Sequence, residues 1–148
     1  MPKIVIVSGY FDPIHVGHLE LIKHASDYSP DGKVFVIINN DTQAKLKKKK
    51  AFMCAEHRQI ICDALRLVDF TMISIDTDRT VCATLEKIAE EYGAQFQLYF
   101  ANGGDQNNQS IPETEICNKK NIKLIDGFGD KVESSSNLIK RCRAENHL

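Results

Sequence analysis

The chain has 148 residues, 43% of them hydrophobic and 26% charged, and its 19 basic and 20 acidic side chains leave a net charge of −1. This length predicts one domain, residues 1–148, that buries roughly 70% of its unfolded surface without help from disulfides or metals. The balanced charge argues against general binding of polyanions, so we expect no nucleic-acid partner. Any phosphate chemistry must therefore use a local positive site.

Cysteine usage and the opening residues predict where the protein works. The five cysteines are scattered and never form a C-x-x-C pair, which is typical of a protein from a reducing compartment. The opening MPKIVIVSGY lacks the layout of a signal peptide, and no apolar run approaches the length of a membrane span. We therefore expect a cytoplasmic protein with no membrane partner.

Short apolar runs rich in β-branched residues predict the strands. They lie at 3–8, 33–38, 71–75, 96–100 and 122–125. Such nearly continuous runs are typical of strands buried on both faces of a parallel sheet. Segments with helical spacing separate them, so the pattern predicts a doubly wound, Rossmann-like α/β domain of about five strands. In such sheets, ligands bind beyond the carboxyl ends of the strands.

The loop after the first strand, within KIVIVSGYFDPIHVGHLELIKHA, is the first candidate site. Gly9 permits close approach of a ligand to the backbone. A helix starting near Val16 would point its partly positive amino end, with unpaired N–H groups, into the same space. His15 and His18 would share one face of its first turn, and Gly17 would leave room for a bulky ligand. The loop therefore predicts a phosphate-binding site.

Two other interpretations of this loop are open. The two histidines could have their hydrogen bonds satisfied within the protein, or they could simply lie at the surface. Alternatively, the H-x-x-H pair could join Cys54 and His57 in a zinc site, although nothing else in the spacing supports it.

The stretch GYFDPIHVGH is similar to the G-x-F-D-x-x-H-x-G-H signature of the cytidylyltransferase-like nucleotidylyltransferases. Residues 39–70 resemble the middle of glycerol-3-phosphate cytidylyltransferases, and NGGDQ (102–106) resembles the family's G-G-D element. IPETEIC and SSSNLIKR resemble the heptose-1-phosphate adenylyltransferase branch. The resemblance implies transfer of a nucleotidyl group from a nucleoside triphosphate to a small phosphorylated or phosphonate acceptor, with release of pyrophosphate. CTP is favoured as donor, and an ATP-dependent sugar-1-phosphate adenylyltransferase is the alternative.

The same resemblance implies roles for individual residues. His15, His18 and Lys47 are the implied catalytic residues. The implied nucleotide-binding residues are Gly9, Tyr10, Phe11, Asp12, Gly17, Lys49, Arg58, Gly103, Gly104, Asp105, Ser134, Ser135 and Ser136. Arg66 and Lys131 are implied on the acceptor side, and Lys131 stands where the family carries an arginine. Mg²⁺ would arrive with the nucleotide, with Asp12 as the nearest candidate ligand, and the protein would be a homodimer.

Simpler interpretations stand beside several of these roles. The lysine run 47–50 could be a solvated charge cluster, and the G-G-D triplet a plain turn. The serines at 134–136 could cap the last helix. Arg58 and Arg66, eight residues apart on one predicted helix, should face roughly the same way, and either could simply pair with an acidic side chain at the surface. A nucleotide-binding regulator without catalysis is the alternative from another class, and we would expect it to have lost a histidine or the lysine.

Overall fold

The computed structural model describes residues 1–48, 50–103 and 111–128. Within them, β1 (Lys3–Gly9), β2 (Lys33–Ile38), β3 (Phe70–Ile73), β4 (Gln97–Gly103) and β5 (Lys123–Phe128) form a parallel sheet of order β3-β2-β1-β4-β5. The helices are α1 (Val16–Tyr28), α2 (Asp41–Lys48), α3 (Ala55–Asp63), α4 (Cys82–Tyr92) and α5 (Thr114–Lys119). The predicted doubly wound α/β fold is confirmed. None of the described helices has the length and apolar character needed to cross a membrane.

Two hydrophobic clusters lie on opposite faces of the sheet, because successive side chains of a strand point to opposite sides. On one face, Ile4 and Ile6 of β1 pack with Leu85 of α4. On the other face, Val5 and Val7 pack with residues of α1 and α3, among them Ile22. Burial on both faces explains why the strands read as nearly continuous apolar runs.

The connection from β2 to β3 differs from the prediction. It contains two helices, α2 and α3, and α3 ends at Asp63. Beyond it, hydrogen bonds between residues three apart, from Ala64 N to Ile61 O (3.2 Å) and from Leu65 N to Cys62 O (3.1 Å), tighten the chain into a turn. Arg66 is exposed in that turn, so the expectation that it shares a helix face with Arg58 is wrong.

Arg58 of α3 joins the connections that follow β1 and β2. Its side chain is 0% exposed. Nε donates to Met53 O (2.9 Å), and Nη1 donates to Tyr10 O and Asn39 O (2.7 Å each). Nη2 donates to Asp41 Oδ1 at 2.8 Å. One guanidinium therefore fixes the chain just beyond β1, just beyond β2, at the start of α2 and before α3.

Glu113, the N-cap residue of α5, joins that helix to the start of α4. It is 9% exposed, and its Oε1 accepts a hydrogen bond from Val81 N at 3.2 Å. Burial raises the pKa of Glu113 above its usual 4.5, and the nearby charges of Asp76 and Asp78 raise it further. The native state therefore binds this proton more tightly than the unfolded chain does.

Replacing Arg58 by lysine keeps the charge but removes the planar fork that reaches four oxygens. We expect Arg58→Lys to lower the free energy of unfolding by about 3 kcal/mol or more, as expected when a buried ion pair with its hydrogen bonds is broken. Urea denaturation measures this. Arg66→Lys, at an exposed arginine, is the matched control and should change stability by less than about 0.5 kcal/mol. Equal stability of the two variants would contradict the role of Arg58.

The raised pKa of Glu113 predicts a pH-dependent stability difference. Stabilisation from its protonation is fully present below the unfolded pKa and is lost as pH rises through the folded pKa. Glu113→Gln retains the oxygen that Val81 N needs but never becomes charged. The melting temperature of the variant should therefore rise relative to that of the wild type as the pH is increased above 4.5, the usual pKa of a glutamate. Glu115→Gln, at an exposed position of α5, is the reference, and a constant difference across the range would contradict the prediction.

Candidate functional site

The carboxyl ends of β1, β2 and β3 place three polar loops along one edge of the sheet. β2 lies on one side of β1 and β4 lies on the other, so the sheet has a topological switch point beside β1. Open α/β sheets bind their ligands at such a point. Gly103, the last residue of β4, is at this edge across from the loop that follows β1.

The two histidines of H-x-G-H form one unit at the amino end of α1. His15 is the N-cap residue, and its Nδ1 accepts a hydrogen bond from Gly17 N at 3.1 Å. His18 Nδ1 accepts in return from His15 N at 3.2 Å. The two rings are stacked, with centroids 3.9 Å apart and planes at 28°. The predicted helix start at Val16 is confirmed, and the two histidines are brought together as expected.

This arrangement changes how the helix end would meet an anion. Gly17 N donates to the His15 ring, and the amides of His18 and Leu19 donate to His15 O at 3.0 and 3.2 Å. These first-turn amides are therefore not left unpaired, contrary to the expectation. Because Nδ1 of each ring accepts a backbone N–H, a neutral imidazole there carries its proton on Nε2. The positive end of the helix thus acts on its surroundings through two polarised imidazoles.

Phe11 packs against the histidine pair from the side of the hydrophobic core. Its side chain is 1% exposed in the core, and its ring lies 4.7 Å from the His18 ring between centroids. Its φ of 52° is unusual for a bulky residue. Gly9 makes room for this ring, because a Cβ at Gly9 would come within 3.2 Å of it. Phe11 was expected to bind nucleotide, but the structure buries its side chain beneath the histidines.

Asp12 is also placed differently from the expectation. It is 0% exposed, and its carboxylate oxygens accept hydrogen bonds from Phe52 N and Met53 N, both at 2.7 Å. Both oxygens thus hold the segment between α2 and α3 against the loop after β1. A carboxylate engaged in this way is a structural tie, and it does not fit the expected contacts with nucleotide or Mg²⁺.

Lys47 lies on a helix. It belongs to the last turn of α2, and its Nζ is 4.5 Å from the centroid of the Tyr10 ring. A cation over an aromatic face is a stabilising arrangement. Tyr10 follows β1 directly, so Lys47 is held beside the loop that carries the histidines. The structure therefore places Lys47 near this loop, on the last turn of α2.

The structure gives Arg58 buried partners where a nucleotide contact was expected. Its hydrogen bonds run to protein oxygens, and the side chain is inaccessible to solvent. In this arrangement Arg58 holds the loops in position and does not face a ligand. Arg66, expected on the acceptor side, lies exposed in the turn that precedes β3.

A buried polar network after β2 and β3 was not foreseen. Gln43 is 0% exposed, its Nε2 donates to Asp78 O and Thr80 O (2.7 Å each), and its Oε1 accepts from Asn39 Nδ2 and Asn40 N. The signal was present in the sequence as NND after β2 and DTDRT after β3. Polar runs at strand ends predict loops, but they do not reveal which partners the side chains will have.

Other expected residues lie outside the described part of the chain. They are Lys49, Gly104, Asp105, Lys131, Ser134, Ser135 and Ser136. Among the described residues, no three histidine, cysteine, aspartate or glutamate side chains come together in a way that could hold a metal. Cys54 and His57 therefore gain no support as a zinc site from this part of the structure, where Cys54 is a free, exposed thiol.

Known proteins are similar to the chain in sequence. The chain is 27% identical over 149 aligned positions to Bifunctional protein HldE of Sulfurimonas denitrificans, covering 99% of this chain and 28% of that protein. It is 39% identical over 70 positions to glycerol-3-phosphate cytidylyltransferase of Bacillus subtilis, covering 45% of this chain and 50% of that protein. The chain thus spans no more than half the length of these two relatives.

A solved structure gives the same fold. The lipopolysaccharide core biosynthesis protein from Thermoplasma volcanium superposes with a TM-score of 0.64 at 19% identity, covering 86% of this chain and 98% of that one. The cytidylyltransferase-like family model matches residues 6–141, from the middle of β1 to beyond β5. The resemblance predicted from GYFDPIHVGH is thereby confirmed, and the chain belongs to the cytidylyltransferase-like nucleotidyltransferase family.

Proposed function

We propose that the protein transfers a nucleotidyl group from a nucleoside triphosphate to a small phosphorylated or phosphonate acceptor. The acceptor oxygen attacks the α-phosphorus in line, a new P–O bond forms, and the bond to pyrophosphate breaks. The observation that carries this proposal is the stacked pair of His15 and His18 at the start of α1, with both Nδ1 atoms accepting backbone hydrogen bonds.

The geometry of the pair suits a reaction that moves negative charge onto pyrophosphate. Each Nε2–H is a hydrogen-bond donor whose ring is fixed by its other nitrogen, so the donor is oriented before the substrate arrives. A phosphate monoester is already a nucleophile at neutral pH, so no strong general base is required. Catalysis then consists of positioning and charge stabilisation. Lys47 supplies a further positive charge beside the loop.

Magnesium enters this proposal only with the nucleotide. Both oxygens of Asp12 bind backbone amides, and the described residues contain no group of three metal ligands. The described residues therefore do not form a dedicated Mg²⁺ site. Bound to the triphosphate, Mg²⁺ would neutralise part of its charge and take its remaining ligands largely from water, as this ion commonly does.

CTP is the proposed donor, and ATP is the alternative. The match to a glycerol-3-phosphate cytidylyltransferase has the higher identity, 39%, but it covers 45% of the chain. The match to HldE covers 99% of the chain at 27% identity. Relatives include both cytidylyltransferases and adenylyltransferases. The predicted contacts to base, ribose and phosphates fall on Gly103, Gly104, Asp105 and the serines 134–136.

We also propose a homodimer, on the resemblance alone. Sedimentation equilibrium at micromolar protein should give about twice the chain mass of 16.7 kDa. A mass equal to that of one chain would contradict the dimer and would leave the proposed reaction untouched.

Pyrophosphate release tests the reaction itself. CTP and ATP are offered separately with Mg²⁺ and a panel of phosphomonoesters, sugar 1-phosphates and phosphonates. We expect release with one nucleotide and one acceptor. His18→Ala should lower the rate by ~10²–10³, the usual cost of losing one positioned donor. His18→Asn keeps a side-chain acceptor for His15 N but lacks Nε2–H, so it should be equally impaired while staying folded.

His24→Ala, which removes an imidazole from the same helix outside the site, is the matched control and should retain wild-type turnover. Tight nucleotide binding without release from any acceptor would favour the regulator, the alternative of another class. Absence of nucleotide binding by the wild type would refute the proposed function.

A further inference from the structure

Gln43, in the first turn of α2, completes a capping box with the residue before the helix. Oδ1 of Asn40 accepts a hydrogen bond from Gln43 N at 2.8 Å, and Gln43 Oε1 accepts in return from Asn40 N at 3.0 Å. Such a reciprocal pair satisfies two backbone donors at a helix start. A glutamate carboxylate completes such a box as well, so capping alone does not require an amide at this position.

The amide nitrogen of Gln43 makes a second set of contacts, which a carboxylate could not make. Nε2 donates to Asp78 O and Thr80 O, at 2.7 Å each, in the loop after β3. The side chain is 0% exposed, so a carboxylate oxygen facing these two carbonyl oxygens would be destabilising. Gln43 therefore joins the start of α2 to the loop after β3 through its amide nitrogen.

Asn40 extends this connection along the same loop. Its Nδ2 donates to Ser74 O at 2.9 Å and to Asp76 O at 2.8 Å. Together with the two carbonyl groups bound by Gln43, every second carbonyl from residue 74 to residue 80 accepts a hydrogen bond from a carboxamide at the start of α2. The loop and the helix start therefore keep a fixed register.

The position of α2 depends on these polar contacts. From Asp41 to Lys47, Gln43 and Ala44 are the buried side chains, so the helix buries little apolar surface there. A helix of eight residues is not stable by itself in water. Asp41 accepts a hydrogen bond from Arg58 at 2.8 Å, which fixes one point of the helix. Gln43 supplies the further contacts that fix how α2 is rotated about its axis.

Lys47 follows Gln43 by four residues, so the two side chains lie on the same face of α2, one turn apart. Lys47 Nζ is 4.5 Å from the centroid of the Tyr10 ring. The Tyr10 hydroxyl donates to Gln43 O at 3.5 Å. Tyr10 directly follows β1, in the loop that carries the histidines. A rotation of α2 at Gln43 would therefore move the ammonium group of Lys47 relative to that loop.

We propose that Gln43 is a positioning residue for nucleotidyl transfer, which binds the loop after β3 and thereby sets the place of Lys47 beside the triphosphate. The inference rests on the proposed function, since Lys47 meets a phosphate only if a nucleoside triphosphate binds. Gln43 is buried and acts through the helix. It lies outside the G-x-F-D-x-x-H-x-G-H signature.

A double-mutant cycle of Gln43→Met and Lys47→Gln tests this, with calorimetry of the full chain titrated with Mg²⁺ and CTP or ATP. Methionine is as long as glutamine but has no amide. Lys47→Gln should weaken binding of the nucleotide about tenfold or more, as for loss of a hydrogen bond to a charged group. Gln43→Met should weaken it about fivefold, but by less than about twofold when Lys47 is already replaced, because the two residues act as one unit. A merely structural glutamine would give the same loss in both backgrounds.

Gln59→Met is the matched control, since it removes a carboxamide of α3 that donates to Thr71 Oγ1 at 3.2 Å, and it should bind nucleotide as the wild type does. Urea denaturation shows whether each variant is folded. If Gln43→Met is unfolded, Gln43→Glu takes its place in the cycle, because it keeps the acceptor of the capping box.

Four results would overturn the proposal: wild-type affinity of Lys47→Gln, wild-type affinity of the Gln43 variant, losses that multiply in the double variant, or failure of both Gln43 variants to fold. In each case nucleotide binding by the wild type would leave the proposed function standing. Absence of nucleotide binding by the wild type would refute the proposed function itself.

Discussion

The burial of Arg58 is the constraint on which the rest of the site depends. A guanidinium without access to water is tolerated only when its donors are satisfied, and here four oxygens from four segments satisfy them. The backbone after β1, the backbone after β2 and the start of α2 must therefore converge on one point. Asp12 adds a second tie between the β1 loop and the segment before α3. The histidines follow the β1 loop and Lys47 lies on α2, so the hydrogen bonds of Arg58 and Asp12 hold the segments on which these side chains lie.

This arrangement separates the residues that shape the site from those that face a ligand. Phe11, Asp12 and Arg58 are buried, and their contacts are with protein atoms. His15 and His18 are partly exposed, and each uses one ring nitrogen for the backbone and so orients the other. The imidazoles act both as helix caps and as hydrogen-bond donors. The N-cap residue and a residue of the first turn thereby extend the positive polarity of the α1 amino end to their Nε2–H groups.

The sequence predicted much of the fold, because the signals for strands are local. Runs such as KIVIVS and KVFVII are buried on both faces, so their composition alone indicated a parallel sheet. The start of α1 was predictable for the same reason, since glycine, proline and histidine lie next to each other there. The place of His15 and His18 at the carboxyl edge followed from the order of strand, loop and helix.

What the sequence could not predict depends on distant partners. A short polar stretch, DTQAKLKK, forms α2 because Gln43 and Asp41 find partners after β3 and on α3. Arg58 was expected to contact the nucleotide, since nothing nearby in the chain shows that Tyr10 O and Asn39 O will accept its hydrogen bonds. The loop after β3 gave no signal either, because its position depends on two hydrogen bonds from Gln43 to Asp78 O and Thr80 O.

We propose that His15 and His18 hold a triphosphate through Nε2 while the Nδ1 atom of each ring accepts a hydrogen bond from the backbone. ¹⁵N NMR of the imidazoles, at neutral pH and without ligand, should show both rings with a proton on Nε2 and none on Nδ1. On saturation with Mg²⁺ and CTP or ATP, the Nε2 signals of these two rings should shift, and those of His24 and His57 should not. A proton on Nδ1 in either ring, or unchanged Nε2 signals with nucleotide bound, would contradict this role of the two histidines.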